Sequence, residues 1–251
     1  MTDVILTRPK YEHSEYAEIL LKHGYSVKNV PFIRISSNDA AIDSMTGYLE
    51  AILSGTESKI DLVIFTSKNA AEITLGNCKK ELFSVSPKIV TIGPATSKVV
   101  RKYNFSVFYE SEGNSGASLM IELSNFCELN GKNVLLPCSK LSDDNLSLGL
   151  SKHNCHVVRF NIYEPVNRTV LPDELMEVAE ARLVCFFSPS AVVSAVEQLG
   201  QTVLDKDVLA IGPTTYEQLQ FHKFKMPNMT ETISPESFAD RVTELLDAQT
   251  P

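Results

Sequence analysis

The sequence predicts an α/β protein built as two similar doubly wound domains, each a parallel sheet covered by helices on both faces. Three observations lead there. Short β-rich apolar runs alternate with amphipathic stretches along the chain; the runs are apolar at consecutive rather than alternate positions; and the whole alternation occurs twice.

The duplication is direct. Residues 3 to 35 align without gaps at an offset of 130 with residues 133 to 165, so that Leu6 meets Leu136, Leu20 meets Leu150 and Lys22-His23 meets Lys152-His153. A second pair aligns DLVIFTS from Asp61 with RLVCFFS from Arg182, and a third aligns KIVTIGPAT from Lys88 with DVLAIGPTT from Asp207.

Taken in order, Val4 to Leu6 is the first strand. Ser14 caps a helix with Glu15 and Glu18 early, Lys22 and His23 late and Gly24 at its exit, which suits both capping and the macrodipole. Pro31 to Ile35 is extended and could cross between domains. Leu62 to Phe65, Val90 to Ile92 and Val134 to Leu136 are buried strands. Ser142 starts the counterpart of the first helix, with Asp143 and Asp144 in its first turn and Asn154, tolerant of positive φ, where Gly24 stood. Asn161 to Val166 is the second candidate crossing, and Val184 to Phe187 and Leu209 to Ile211 are further strands. Ser234-Pro235-Glu236 caps the last helix, whose inner stripe is Phe238, Val242 and Leu245.

At 251 residues with 43% hydrophobic content the chain is long enough to bury two cores. Its formal charge of −8 repels phosphate backbones and anionic membranes, so neither a nucleic acid nor a membrane is an expected partner. No apolar run is long enough to cross a bilayer, and Met1 leads into the first strand without a basic-then-apolar leader, so a cytoplasmic location is expected. Five cysteines, never in a CxxC pair, read as reduced thiols. His153 and His156 have HxxH spacing but straddle a helix end with no other ligands nearby, and no metal is expected. The GxGxxG, GxxxxGK[ST] and GxSxG fingerprints are missing, which removes support for dinucleotide, P-loop and triad chemistry.

Ligands of open parallel sheets bind beyond the carboxyl ends of the strands, where helix N-termini offer free amides. Four such junctions are rich in hydroxyls and small residues: Thr66-Ser67-Lys68-Asn69-Ala70, Gly93-Pro94-Ala95-Thr96-Ser97, Ser188-Pro189-Ser190-Ala191 and Gly212-Pro213-Thr214-Thr215. One alone is explained by helix capping; four together predict a site for a polyanion, held by amides and hydroxyls without a dense basic patch. Tyr163, before a proline that favours extended chain, lies on the second crossing. Arg8, Arg34, Lys68, Lys140 and Arg168 fall near strand ends or crossings and could meet carboxylates, although each taken singly reads first as solvated surface charge.

As a set these segments resemble the uroporphyrinogen-III synthase family. The resemblance rests on Leu6-Thr7-Arg8-Pro9, Phe65-Thr66-Ser67, Ile92-Gly93-Pro94-Ala95-Thr96, Leu135-Leu136-Pro137-Cys138, Tyr163-Glu164, Phe186-Phe187-Ser188-Pro189-Ser190, Ala210-Ile211-Gly212-Pro213-Thr214-Thr215 and Ser234-Pro235, which run in the family's order over the whole chain. It implies flavodoxin-like domains that are interleaved, residues 1–31 with 169–251 in one and 37–160 in the other, joined by connectors 32–36 and 161–168. It also implies a cofactor-independent, monomeric lyase that closes hydroxymethylbilane, a linear tetrapyrrole polycarboxylate, with loss of water and inversion of the terminal ring.

By the same resemblance Tyr163 faces the interdomain cleft and assists the departing hydroxyl. The substrate is gripped at Arg8, Ser67, Gly93, Ala95, Thr96, Ser188, Ser190, Gly212, Thr214, Thr215 and Ser234. Two positions depart from the family pattern. Cys138 stands where many bacterial relatives are basic, and Ser234 stands where many carry threonine. The rival readings are a non-catalytic two-lobed receptor for a small polyanion and a regulatory module that keeps only the fold. Turnover of hydroxymethylbilane separates the first from the enzyme, and retention of all four hydroxyl-rich junctions argues against the second.

Overall fold

The structure, a computed structural model, describes residues 2–8, 15–78, 87–113 and 115–248. The expected Ser14 cap and Pro9 of the opening motif lie outside the described residues. The chain opens with β1 (Val4–Leu6), α1 (Glu15–Lys22) and β2 (Val27–Asn29). Next come β3 (Ile33–Ser37), α2 (Asp39–Leu53), β4 (Leu62–Phe65), α3 (Lys68–Asn77), β5 (Lys88–Ile92), α4 (Pro94–Lys102), β6 (Val107–Ser111) and α5 (Gly116–Phe126). They are followed by β7 (Asn133–Ser139), α6 (Asn145–Lys152), β8 (His156–Asn167), α7 (Pro172–Glu180), β9 (Leu183–Phe186) and α8 (Pro189–Leu199). The chain closes with α9 (Gln201–Leu204), β10 (Asp207–Ala210), α10 (Pro213–Phe221), β11 (Met226–Met229) and α11 (Pro235–Asp247).

Two compact units result, one formed by the chain up to Arg34 and from Pro165 onward, the other by Ile35–Glu164. The first holds a five-stranded sheet in the order β11-β10-β9-β1-β2, and the six-stranded sheet of the second runs β3-β8-β7-β4-β5-β6. The registered neighbours are parallel throughout.

The sequence repeat is repeated in register. Val4 faces Val27 between β1 and β2, and Val134 faces Val157 between β7 and β8, the same pair displaced by 130. Val4 faces Leu183 in one sheet and Leu62 faces Val134 in the other, which matches the alignment of Asp61 with Arg182. The spatial sequence β11-β10-β9-β1-β2 is thus reproduced as β6-β5-β4-β7-β8, with the chain cut at a different point. In each sheet the strand order reverses once, between β1 and β9 and between β4 and β7. Such reversals are where open α/β sheets bind ligands.

Strands this short are held because both faces are covered. Ile5 packs with Val184, Phe186 and Val208 on one side of its sheet, while Val4 and Leu6 pack with Leu183, Leu209 and Phe238 on the other. In the second unit Val63 and Phe65 face one cluster, and Leu62 and Ile64 face another. Consecutive apolar residues therefore serve opposite cores, each contributing about 1.5–3 kcal/mol when fully buried.

Gly24 and Asn154 both end their helices at positive φ, 87° and 57°. The start of the second of those helices differs from expectation. Ser142 does not cap α6; the N-cap is Asp144, and the helix begins at Asn145. The Ser142 N–H instead donates to the Ser139 carbonyl at 3.0 Å, its own carbonyl accepts from Arg159 Nη2 at 2.7 Å, and Asp143 Oδ1 accepts the Asn145 N–H at 2.9 Å. Arg159 also pairs with Asp144, so the two acids sit on the loop that leads into the helix, with Asp144 as its N-cap, rather than in its first turn. Among the described residues, no helix is long and apolar enough to cross a membrane.

Candidate functional site

At the carboxyl end of the second unit's sheet, Ser67 caps α3, its Oγ accepting the Ala70 N–H at 3.1 Å. The same Oγ lies 2.8 Å from Tyr163 Oη. Tyr163 arrives there because β8 shifts register by one residue between Cys138 and Ser139, which brings Tyr163 opposite Ser139, and the Lys140 N–H ties its carbonyl at 2.8 Å. The ring is 7% exposed and packs in the core that includes Phe65 and Ala70. Burial pushes the phenol pKa up from its ordinary 10.0, more than the Ser67 hydrogen bond pulls it down. The phenol is therefore neutral, with a proton to share.

The duplicated Ile-Gly-Pro turns differ from the serine-capped ones. Gly93 caps α4 at φ 75°, and Gly212 caps α10 with extended backbone; neither helix has a side-chain cap, and each carries proline in its first turn. Without a competing hydroxyl at the cap, the first-turn amides of Ala95, Thr214 and Thr215 lie at positive helix ends, while the Thr96 N–H donates to the Gly93 carbonyl at 3.2 Å. Ala95 and Thr214 are exposed, while the Thr96 and Thr215 side chains are buried. Ser97, next along, is committed to Thr91 at 2.6 Å.

In the first unit Ser188 caps α8, accepting the Ala191 N–H at 3.3 Å, and sits 3.2 Å from the Ser190 hydroxyl. Ser234 caps α11 and accepts from Ser237 N–H at 3.1 Å. Arg8 follows β1, beside the β1/β9 reversal, and is held by the rings of Tyr16 and Phe187. The structure thus joins Ser67 to Tyr163 and Ser188 to Ser190, and places the remaining expected residues at the carboxyl ends of their own unit's strands.

Other charges suggested by sequence have structural work. Arg168 pairs with Glu174 at 2.8 Å and donates to the Pro31 carbonyl at 3.0 Å. Lys140 pairs with Glu164 at 3.2 Å, beside Tyr163. The Cys138 thiol donates to Asn161 Oδ1 at 3.4 Å, and burial raises its pKa. An uncharged thiol therefore stands at the end of β7. Among the described residues no group of three His, Cys, Asp or Glu side chains converges as a metal would need.

Sequence reasoning missed the rings around Arg8. Tyr16 stands on α1 and Phe187 just beyond β9, and their juxtaposition depends on the 179-residue separation across the Val4–Leu183 pair.

A family model described as uroporphyrinogen-III synthase HemD matches residues 14–240. A uroporphyrinogen-III synthase of Chlorobaculum parvum is 24% identical over 98% of this chain and 100% of its own length. Among solved structures, uroporphyrinogen-III synthetase from Helicobacter pylori superposes with a TM-score of 0.65 at 16% identity, covering 98% of this chain and all of that one. A mutant uroporphyrinogen III synthase from Thermus thermophilus does so with a TM-score of 0.62 at 14% identity, over 99% and 100% of the two chains. At these identities the structural likeness speaks for the two-domain α/β fold.

Proposed function

Because this chain belongs to the uroporphyrinogen-III synthase family, we propose that it cyclises hydroxymethylbilane to the type III ring and that Tyr163 assists departure of the terminal hydroxyl. The reaction makes it a lyase. The hydroxyl leaves as water and generates an azafulvene; the far ring attacks through its substituted carbon to give a spiro intermediate. This fragments and recloses with that ring inverted, and the proton displaced at ring closure returns to solvent. The sequence is redox-neutral and internal to the substrate, so it needs no cofactor. What the protein contributes is the folding of a flexible chain so that the hindered carbon is the one attacked.

The observation that carries the role of Tyr163 is its 2.8 Å contact with Ser67. Ser67 Oγ already accepts from the Ala70 amide, so its own proton can go to Tyr163 Oη, leaving the phenolic proton for the leaving oxygen. A neutral donor in a dry site suits a hydroxyl that gathers negative charge as its bond breaks.

Substrate carboxylates would be taken by amides and hydroxyls at Ser67, Gly93, Ala95, Thr96, Ser188, Ser190, Gly212, Thr214, Thr215 and Ser234, with Arg8 supplying a full positive charge. The net charge of −8 favours this over a broad basic surface, since local dipoles bind anions without raising the field elsewhere. The same reading makes the protein a cytoplasmic monomer whose partner is this small molecule. Membership of the family disfavours the non-catalytic receptor.

The test is the product. Hydroxymethylbilane supplied to the protein is expected to give mainly the type III isomer, whereas spontaneous closure gives type I. Type I product at the spontaneous rate would overturn the reading.

A further inference from the structure

Arg8 is the one full charge among the proposed binding groups, and its surroundings are unusual. Its Cζ lies 5.0 Å from the centroid of Tyr16 and 5.0 Å from that of Phe187. The two rings stand 5.2 Å apart at 74°, so the guanidinium sits over both walls of an aromatic corner. Each distance is within the range in which a cation is drawn to a ring face. The corner is itself braced. Tyr16 Oη donates to the Ile233 carbonyl at 2.6 Å, and Phe238 packs edge-on against Tyr16 at 5.1 Å and tilted against Phe187 at 5.6 Å. Phe238 is fully buried. Among the described residues the Arg8 guanidinium makes no ion pair.

The duplication supplies an internal comparison. At the positions that align with Arg8, Tyr16 and Phe187, the second unit carries Cys138, Leu146 and Thr66. The cation and both rings occur together in one copy and are replaced together in the other, although the strands around them keep the same register. Packing alone would not require the rings to accompany the cation.

We infer that Tyr16 and Phe187 are positioning residues: they hold Arg8 in one conformation, beside Ser188 at the β1/β9 reversal, so that its guanidinium receives a substrate carboxylate without first losing side-chain freedom. The inference rests on the proposed binding role of Arg8. A long cationic side chain gives up rotamer freedom when it grips a ligand, and rings that restrict it beforehand remove much of that cost from binding. The rings touch no reacting atom, so the effect belongs in KM rather than kcat.

A double-mutant cycle on the full chain, with hydroxymethylbilane turnover as the readout, tests this. Arg8→Ala is expected to raise KM. Phe187→Leu, which keeps apolar volume and removes the ring, is expected to raise KM about three- to tenfold at nearly constant kcat. In the Arg8→Ala background the same substitution adds nothing. Phe187→Tyr restores the wild-type KM, and Tyr16→Phe, which keeps its ring, stays near it. A normal KM for Phe187→Leu, or an undiminished Phe187→Leu effect in the Arg8→Ala background, overturns the clamp while leaving Arg8 a binding group. A normal KM for Arg8→Ala overturns the binding role itself and the clamp with it. Should Phe187→Leu fail to fold, Tyr16→Leu takes its place in the cycle, with the same outcomes deciding.

Discussion

Tyr163 and Ser67 form a short relay in which each oxygen has a separate job. The Ser67 oxygen holds the first turn of α3 through Ala70, and in the proposed function the Tyr163 oxygen is the one that meets the substrate. Tyr163→Phe keeps the ring and its packing, so it should cost no more than about 1 kcal/mol of stability, the worth of one hydrogen bond. The rate is more sensitive: kcat should fall by about 10- to 100-fold, as for loss of one hydrogen bond to developing charge, while KM changes little. Steady-state kinetics would check this, and an unchanged kcat removes Tyr163 from the chemistry. The pH behaviour follows in sign. Burial raises the folded-state phenol above its ordinary 10.0. Its contribution to stability is therefore complete below pH 10 and is lost as pH climbs from there through the raised folded value. Urea titrations at pH 8 and pH 11 should show that loss in the wild type and less of it in Tyr163→Phe. The thiols offer a second check. Cys78, Cys138, Cys155 and Cys185 are buried and Cys127 only partly so, and burial raises all five. A neutral alkylating reagent at pH 7 should mark Cys127 first in the native protein, and all five at similar rates in urea.

At the scale of the element, the two Ile-Gly-Pro turns look alike as text and differ as backbone. Gly93 has φ 75°, a conformation that side chains resist, with no atom within 4 Å of a Cβ placed there; Gly212 has φ −175°, open to any residue, with only Ile233 at 4.0 Å. Gly93→Ala should therefore cost about 1 kcal/mol through backbone strain, and Gly212→Ala well under that, measured as shifts in urea midpoint at constant slope. If Gly212→Ala also loses substrate affinity while remaining stable, its methyl group occupies space that a ligand needs. This contrast marks how far the text could be read. The central strands were legible because both faces of β1, β4, β7 and β9 are covered, and coverage writes itself as consecutive apolar residues. β2, β6 and β11 were not singled out: they are strands at or near the margins of their sheets, and Lys28, Phe108 and Met226 on them are exposed. The start of α6 was misread at Ser142 because capping chemistry is local, and the partner that drew its carbonyl away, Arg159, lies on the next strand. The Ser67 and Ser188 junctions were legible as caps. The meeting of Tyr163 with Ser67 was not, since it depends on a one-residue register shift between β7 and β8 that no spacing announces.

For the whole molecule, duplication has produced two frames with the same strand order and different equipment. One copy carries the cation and its rings, the other the buried phenol, and the serine caps Ser67 and Ser188 occupy aligned positions in both. The unit from Ile35 to Glu164 is a continuous stretch of chain, whereas the other is made from two pieces. The continuous unit, expressed alone, should show native-like circular dichroism and one cooperative urea transition; a non-cooperative loss of signal would show that it depends on the rest. The discontinuity matters before the protein is finished. β1 is a central strand, yet its partner across the Val4–Leu183 pair is synthesised 179 residues later. At about 5–20 residues per second that is a wait of roughly 10–35 s on the ribosome, during which Val4, Ile5 and Leu6 have no β9 to cover them. The inserted unit can complete itself in that interval. The segment around β1 is thus the part of this chain with most to gain from a chaperone, and slowing translation within residues 35–164 should lower the yield of folded protein more than slowing it after Leu183.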